Sequence, residues 1–342
     1  MPRTTGPGGS GPTSKDVARI AGVSQSTVSY VMSGKRPISA KTRKLVEDAI
    51  AQLTYEPHAG ARALAGQRTS VIAVVVPFST PLSAHGLMSF VEEIALVARA
   101  HDHDVLLVTA DEGIAGLRRV AGRRLCDAVV VMEVRTDDDR VAVARDLGVP
   151  VLFIGVPEDA GGLHCNDFDF ESAADLLVGE LAAAGERDVV VLAWGDDTTS
   201  RDLNYVPRFE RGARRAAQRH GVALEWAPVP ADRVLDPVLE DVLAGRDAPP
   251  ALVVATALPE AMGALARRGL RPGTDLSLVA LCTAAEAQAQ AVAVTACSQH
   301  PRDVSRRAVT RLFRLLDGAG APPGVELFPA EVTRRDSVRP RP

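Results

Sequence analysis

Basic side chains, which can pair with phosphate groups, are concentrated at the start of this 342-residue chain. Residues 1–68 hold ten Lys and Arg but four Asp and Glu, a formal charge of +6. The other 274 residues therefore carry −10, and the whole chain carries −4. This asymmetry suggests a nucleic-acid-binding module attached to an acidic body. On charge alone, a solvated basic surface is an equally good explanation.

Motifs that carry catalysis or metal binding are missing from the sequence. It has no P-loop, GxGxxG or GxSxG motif and no metal-ligand spacing, so we expect neither an enzyme nor a cofactor. The sequence HDHD at His101–Asp104 falls between a predicted helix and a predicted strand, which favours a solvated turn over a metal site. The four cysteines lie far apart, which predicts free thiols in a reducing cytoplasm. Neither a membrane span nor a signal peptide is recognisable, so a cytoplasmic protein is expected.

Three short helices are predicted between Thr13 and Leu53. Their N-terminal backbone groups can be capped by the hydroxyls of Ser14, Ser24 and Ser39. Apolar residues at helical spacing predict the faces that pack together: Val17, Ala18, Ile20 and Ala21, then Val28 and Val31, then Leu45, Val46, Ala49, Ile50 and Leu53. Residues 1–12 are rich in Gly, Pro, Ser and Thr, so we expect them to be disordered.

From Ser70 onward, short apolar strands alternate with amphipathic helices. The predicted strands are Val71–Val76, Val105–Thr109, Ala128–Met132, Val151–Ile154, Val189–Ala193, Leu252–Val254 and Leu278–Leu281. The predicted helices are Leu87–Ala100, Asp137–Leu147, Ser172–Ala184, Arg208–His220 and Pro259–Arg268, and a late strand-and-helix unit is Thr295–Leu316. Such alternation predicts parallel sheets covered on both faces. We therefore expect an α/β core of two doubly wound parallel-sheet subdomains with a ligand cleft between them, preceded by an all-α head.

The segment Ser14–Ser29 (SKDVARIAGVSQSTVS) resembles the helix-turn-helix DNA-binding head of the LacI/GalR family of bacterial transcription regulators. The similarity continues through Ser39–Arg43, Ala51–Tyr55, Pro57 and Ala61–Gly66, and weakly over the core, including Gly269–Val279. The resemblance implies a periplasmic-binding-protein-like core. The implied boundaries are a tail at 1–12, a helix-turn-helix domain at 13–57, a hinge at 58–68, one core subdomain at 69–168 and 298–328, and a second at 169–297 and 329–338.

In this family, the second helix of the head enters the major groove with its leading turn. The resemblance therefore implies base contacts from Gln25, Ser26 and Tyr30, and Gln can pair with both the N6 and the N7 atoms of adenine. Tyr30 stands where the family often carries Arg or another polar residue, which leaves the target sequence open. The implied phosphate contacts, which position the head without specifying sequence, come from Thr13, Ser24, Thr27, Ser29, Lys35 and Arg43.

The segment Pro57–Gly66 resembles the hinge helix of the family, which pairs with its copy in the minor groove of the operator. Leu64 matches the apolar residue that wedges between base pairs. The resemblance places His58, Ala61 and Arg62 in the minor groove beside it. Gly60 lowers the helix propensity of this short segment, so we expect it to fold only on DNA.

The predicted cleft departs from the polar pattern of the family. Thr256-Ala257 replaces a common Asn-Asp pair, Cys282-Thr283 replaces an acidic residue, and Gly155 replaces an Asp. Sugars need several convergent hydrogen-bond partners, so a sugar is disfavoured, and a less polar effector or none is expected. The candidates for effector contact are Ser79, His85, Asp167, Arg208, Thr256 and Gln299, each with a cap or loop role as the alternative. Cys282 is a further candidate, for which, as for Cys297, the alternatives are oxidant sensing and a buried inert thiol.

Together these features predict a sequence-specific transcriptional regulator that binds a near-palindromic operator as a homodimer and has a cleft that can take a small effector. A repressor is favoured over an activator. Two alternatives stay open. One is a DNA-binding regulator without an effector, and the other is a small-molecule binding protein of the periplasmic type, for which a secretion signal and no helix-turn-helix are expected. After Arg339 no heptad segment follows, so a dimer is expected rather than a tetramer.

Overall fold

The computed structural model describes residues 12–33, 36–55, 68–76, 84–195, 201–230 and 232–340. The head is formed by three helices, α1 (Ser14–Ala21), α2 (Gln25–Ser33) and α3 (Ala40–Leu53). Their shared core contains Val17, Ala18, Ala21, Val28, Val31, Val46, Ala49 and Tyr55. Between α1 and α2 the chain turns at Gly22, whose φ of 65° is a left-handed conformation that glycine adopts without strain.

Three details of the head differ from the sequence prediction. Thr13, not Ser14, is the N-cap of α1, and the Asp16 carboxylate accepts bonds from the Thr13 backbone N (3.0 Å) and hydroxyl (2.7 Å). Ile20 and Leu45, predicted to be buried, are 37 % and 45 % exposed. In helices this short, two or three apolar residues per helix are enough to cover the contact face, so the remaining apolar side chains lie at its margin.

Within the described residues, the strands form two sheets of six strands each. The first sheet has the order β11-β5-β4-β3-β1-β2, all parallel, from β1 (Val71–Val76), β2 (Asp104–Thr109), β3 (Ala128–Val131), β4 (Val151–Ile154), β5 (His164–Phe168) and β11 (Gly324–Phe328). The second has the order β12-β10-β9-β8-β6-β7, from β6 (Asp188–Trp194), β7 (Ala223–Val229), β8 (Ala251–Val254), β9 (Leu278–Leu281), β10 (Thr295–Cys297) and β12 (Val332–Thr333). In this sheet, the β10–β12 pair is antiparallel.

Helices connect successive strands and cover the sheets. They are α4 (Ala84–Ala100), α5 (Gly113–Gly122), α6 (Arg140–Arg145), α7 (Phe170–Ala183), α8 (Tyr205–His220), α9 (Asp236–Leu243), α10 (Leu258–Arg267), α11 (Ala284–Gln288) and α12 (Pro301–Leu316). The side chains of β3, β4, β8 and β9 are buried along their whole length, as expected for strands with helices on both faces. The expected α/β architecture is therefore confirmed.

The chain crosses between the two sheets three times. It leaves the first sheet after β5, returns through α12 after β10, and leaves again between β11 and β12. Each sheet is therefore assembled from separate stretches of the chain. The loops that follow the carboxyl ends of β3 and β4 meet the segment that precedes α8, and this meeting place is the cleft between the two subdomains.

The boundaries of β1, β4 and β9 are those predicted from sequence. The predictions for β2, β3 and β8 differ by one residue at one end, and that for β6 differs by one residue at each end. Several elements were not predicted, namely β5, β7, β11, β12, α5, α9 and α11. None of the helices seen in the described residues is both long and apolar enough to cross a bilayer.

Candidate functional site

The leading turn of α2 is a cluster of hydroxyl groups. Ser24 caps the helix as predicted, because its Oγ accepts a bond from the backbone N of Thr27 at 3.1 Å. The same oxygen lies 2.7 Å from Ser26 Oγ and 2.8 Å from Thr27 Oγ1. The N-terminus of a helix attracts anions through its unbonded amide groups, so this turn is suited to contact phosphate or base oxygens.

Gln25 lies in the same turn and is exposed to solvent. Its Nε2 donates a hydrogen bond to Ser14 Oγ at 2.8 Å, which ties the first residue of α1 to the first residue of α2. Ser26 is also exposed. The contact with Ser14 restricts the rotation of the Gln25 side chain, so its carboxamide is held at the surface before any partner arrives.

Tyr30, one turn further along α2, is half-buried, and the guanidinium of Arg36 lies over its ring, 5.2 Å from the centroid. This cation–π contact was not predicted, because Arg36 lies in the loop after the helix. The exposed side chains of Thr13, Ser29 and Arg43 are on the surface of the same three-helix unit. The remaining predicted DNA contacts lie outside the described residues: Lys35, His58, Ala61, Arg62 and Leu64.

The core begins at a well-bonded junction directly after the linker. Asp127, which precedes β3, accepts bonds from the backbone N of Thr69 (2.7 Å) and of Ser70 (2.8 Å). Arg68 donates to the backbone O of Leu316 at 2.7 Å, at the end of α12. The position at which the linker enters the core is therefore fixed by side chains from two different elements.

Two of the predicted effector residues, Asp167 and Arg208, form a buried ion pair across the cleft. Asp167 lies on β5 of the first sheet and Arg208 on α8 beside the second, and each is 8 % exposed. Arg208 also donates to Phe168 O and to Asn204 Oδ1, both at 3.1 Å, and its guanidinium lies over the Phe170 ring. Burial raises the pKa of Asp167, and the charge of Arg208 opposes that shift. The guanidinium that was expected to bind an effector is thus bonded within the protein.

Three other predicted effector residues follow the carboxyl ends of adjacent parallel strands in the second sheet. Thr256 follows β8 and Gln299 follows β10, and both are half-buried. His85 is the second residue of α4, and Ser79 lies outside the described residues. Cys282 is buried after β9, and burial raises the pKa of its thiol to about 12, which disfavours the reactive thiolate near neutral pH. Across the described residues, no group of three or more His, Cys, Asp or Glu is arranged to hold a metal ion.

The contacts that join the two subdomains were not predicted from sequence. Besides the Asp167–Arg208 pair, they include contacts between the segment Arg201–Asn204 before α8 and the loop Glu133–Asp138 after β3. Asp138 is itself held in this loop by a buried ion pair with Arg140, whose Nε lies 2.8 Å from Asp138 Oδ1. The one local signal in the sequence was Gly155, because a glycine after a buried strand often marks a close approach of another part of the chain.

Two family patterns match different parts of the chain. The pattern for "Bacterial regulatory proteins, lacI family" matches residues 13–58, and that for the "Periplasmic binding protein-like domain" matches residues 178–338. The first range contains the three-helix head, and the second covers the second sheet together with α12 and β11. A helix-turn-helix head on a core of this type defines a DNA-binding transcriptional regulator.

Known proteins that resemble this chain along most of its length are regulators of the same kind. The HTH-type transcriptional regulator AglR of Rhizobium meliloti is 28 % identical over 96 % of this chain and 94 % of its own. The lactose operon repressor of Escherichia coli is 29 % identical over 94 % of this chain and 89 % of its own. The structure of the lac repressor dimer bound to operator and an anti-inducer superimposes with a TM-score of 0.80, at 25 % identity, over 96 % of this chain and all of that one. Residues 13–58 match the lacI family of bacterial regulatory proteins, and the whole chain is similar to regulators of that kind.

Proposed function

We propose that this regulator is a repressor that binds a near-palindromic operator as a homodimer, with the leading turn of α2 in the major groove. The observation that carries the proposal is the exposed Gln25 carboxamide, which Ser14 holds at the start of α2. A carboxamide in that place can pair with adenine N6 and N7, and the neighbouring Ser26 hydroxyl can donate or accept beside it. Tyr30 is the third proposed base contact.

The proposed phosphate contacts surround these residues. The exposed side chains of Thr13, Ser29 and Arg43 are available for them, together with the hydroxyl cluster of Ser24 and Thr27 and with Lys35. Such contacts fix the register of the head on the duplex and make binding salt-dependent. His58, Ala61, Arg62 and Leu64 of the hinge are proposed to lie in the minor groove, with Leu64 as the wedge.

Exposed apolar side chains on the first subdomain support the homodimer. Met88 and Leu96 on α4 are each 54 % exposed, and Leu107 on the edge strand β2 is 44 % exposed. Apolar surface on adjacent elements of this kind is typical of a protein–protein contact. The lac repressor crystallised as a dimer on its operator, and a two-fold axis lets two heads read a palindrome.

A small effector in the cleft is the remaining part of the proposal. The lac repressor structure contains an anti-inducer together with its operator, and the core of this chain superimposes on that structure. A ligand changes DNA affinity only if it binds the two arrangements of the subdomains differently. The alternative of an effector-independent regulator is favoured by one observation, the internal ion pair that occupies Arg208.

Selection of bound sequences from random duplex DNA by the full-length protein tests the proposed function. We expect enrichment of one near-palindromic motif, and an affinity that falls steeply with salt concentration. Leu64→Ala should weaken binding to that motif far more than binding to unrelated DNA. Failure to enrich any motif, or equal losses on specific and unrelated DNA, would contradict the proposal.

Light scattering on a sizing column tests the homodimer. We expect a mass of twice 36.1 kDa for the native protein and a shift towards 36.1 kDa for Leu107→Glu. The control is Val234→Glu, which puts the same charge on another exposed apolar side chain, outside α4 and β2. A monomeric native protein, or a native tetramer, would contradict this part of the proposal.

A further inference from the structure

The segment Asp202–Asn204 joins the two subdomains beside the Asp167–Arg208 pair. Leu203 pairs with Arg135 as an antiparallel bridge. The backbone N of Thr136 donates to Asp202 O at 2.7 Å, and the backbone N of Asp137 donates to Asp202 Oδ2 at 2.9 Å. Residues that precede α8 of the second subdomain are therefore hydrogen-bonded to the loop after β3 of the first.

Asn204 makes the most central of these contacts. Its Nδ2 donates to Val134 O at 2.7 Å, and its Oδ1 accepts from the backbone N of Val156 at 3.2 Å and from Arg208 Nη1 at 3.1 Å. The residue is 4 % exposed. The carboxamide thus bonds the main chain at the ends of both β3 and β4, the two strand ends that form one wall of the cleft.

Gly155 packs against Val134 and Asn204 at the end of β4. Its φ is 132°, and a Cβ built there would lie 2.6 Å from Val134 Cβ and 3.0 Å from Asn204 Nδ2. The sequence resemblance gives an Asp as the usual residue at this position. No side chain larger than hydrogen fits at this position, chiefly because Val134 lies in the way, and Asn204 Nδ2 is at the limit of contact. Gly155 therefore lets both Val134 and the Asn204 carboxamide approach the end of β4.

We propose that Asn204 is an internal occupant of the cleft, which takes the place of a polar ligand at the ends of β3 and β4. It holds the two subdomains together without an effector and excludes hydroxylated ligands from that position. The exclusion of ligands rests on the proposed function, because it takes the cleft to be an effector site. The hydrogen bonds of Asn204 that join the subdomains do not depend on DNA binding.

The chemistry of the neighbouring side chains fits this inference. Next to Asn204, Tyr205 stacks on Phe170 with ring centroids 5.2 Å apart, and Trp194 meets Tyr205 edge-on at 5.1 Å. With Arg208 bonded to Asp167 and Asn204 bonded to the main chain, three half-buried aromatic rings lie next to this contact. The effector that suits such a surface is an uncharged aromatic or apolar molecule, which would have to bind beside Asn204 or displace it.

Amide hydrogen exchange of the full-length protein, without DNA or added ligand, tests the inference. In Asn204→Ala we expect the amides of Thr136, Asp137 and Val156 to exchange at least tenfold faster than in the native protein, because the contact opens as a unit. The matched control is Gln218→Ala, which removes an exposed carboxamide from the same helix, α8. Equal exchange at those three amides in both variants would overturn the inference.

Two further variants keep the test decisive if Asn204→Ala does not fold. Asn204→Asp keeps the oxygen that accepts from Val156 and Arg208 but loses the N–H group that donates to Val134. The exchange rates of the Thr136, Asp137 and Val156 amides should therefore lie between those of Asn204→Ala and those of the native protein. Gly155→Ala leaves Asn204 unchanged but puts a Cβ against Val134, whose carbonyl accepts from Asn204 Nδ2, and against that Nδ2 itself, so exchange at Val156 should accelerate. Native exchange rates in both variants would overturn the inference. These exchange measurements use no operator DNA. If the protein fails to bind DNA in the selection experiment, that result contradicts the proposed function and leaves this inference unaffected.

Discussion

The head and the cleft use their polar side chains in opposite ways. On the head, the amide of Gln25 and the hydroxyl of Ser26 are exposed to solvent. In the cleft, Asn204, Asp167 and Arg208 are 4–8 % exposed and bonded to one another or to the main chain. Gln25 and Ser26 each bond one neighbouring hydroxyl, but their remaining donors and acceptors face water and can exchange it for a partner at little cost. A buried group must first lose a bond within the protein. The head is therefore open to a macromolecular partner, and the cleft is largely satisfied already.

The largest expected effect comes from breaking the buried pair. Asp167→Ala leaves the Arg208 guanidinium buried without a countercharge, and we expect a loss of about 3–5 kcal/mol in the free energy of unfolding. Urea denaturation followed by the fluorescence of Trp194 and Trp226 measures it. The control is Glu171→Ala, because Glu171 pairs with Arg211 and Arg215, which are 61 % and 50 % exposed, and its loss should cost at most about 1 kcal/mol. Similar losses for both variants would show that the cleft pair is no better satisfied than a surface pair.

A substitution in the head should have a smaller effect, and it should change the free energy of DNA binding rather than that of unfolding. Gln25→Ala should lower the affinity for the selected operator by about 1–3 kcal/mol and relax the preference at one base pair, because a bidentate base contact is lost. Fluorescence anisotropy with the operator and with unrelated DNA measures the change. Gln52→Ala, at an exposed position on α3, should leave the affinity unchanged. A uniform loss on both DNAs would assign Gln25 to the phosphates instead.

A third prediction concerns acid stability near the cleft. Burial tends to raise the pKa of Asp138, but hydrogen bonds and the charge of Arg140, with a bond from the Arg135 backbone, outweigh it and hold the pKa below its usual value. The stabilisation by this carboxylate is present above its unfolded pKa of about 4 and is lost as the pH falls through the lower folded value. Asp138→Asn should therefore be destabilised at neutral pH and lose less stability on acidification than the native protein.

The matched control for this pH dependence is Asp139→Asn, since the Asp139 side chain is 60 % exposed. Urea midpoints measured from acid to neutral pH should give parallel curves for this control and the native protein. A curve for Asp138→Asn that also runs parallel to the native one would contradict the assignment of the acid-sensitive group.

The smallest expected effect concerns the buried thiols of Cys282 and Cys297, which should not react with a thiol reagent in the native protein. Burial raises the pKa of the Cys282 and Cys297 thiols to about 12, so almost no thiolate exists near neutral pH. A thiol reagent such as 5,5′-dithiobis(2-nitrobenzoate) should leave both native thiols unmodified and should modify all four cysteines once the protein is unfolded. Rapid modification of Cys282 in the native protein would show that the cleft is more open than its hydrogen bonds indicate.

Residues whose partners are close in sequence were predictable, and those with distant partners were not. The head follows from local caps and apolar spacing, with Ser24 and Ser39 capping their helices as expected. The strand β5 (HCNDF) was missed because Asn166 and Asp167 look unsuited to a buried strand. They are buried because Arg311 and Arg208, distant in sequence, bond to them. The role of Asn204 depends in the same way on loops after two other strands, which no local pattern reveals.

The triple crossing between the sheets has a consequence for recombination. The head is one continuous stretch of the gene, so a single junction after the linker is enough to exchange it between relatives and redirect the regulator to another operator. Neither half of the core is continuous, because β11 and β12 lie at the end of the chain, apart from the other strands of their sheets. A functional chimera of one core half with another would need three matched junctions. We therefore expect recombination between related genes to exchange the heads readily and to keep the two halves of the core together.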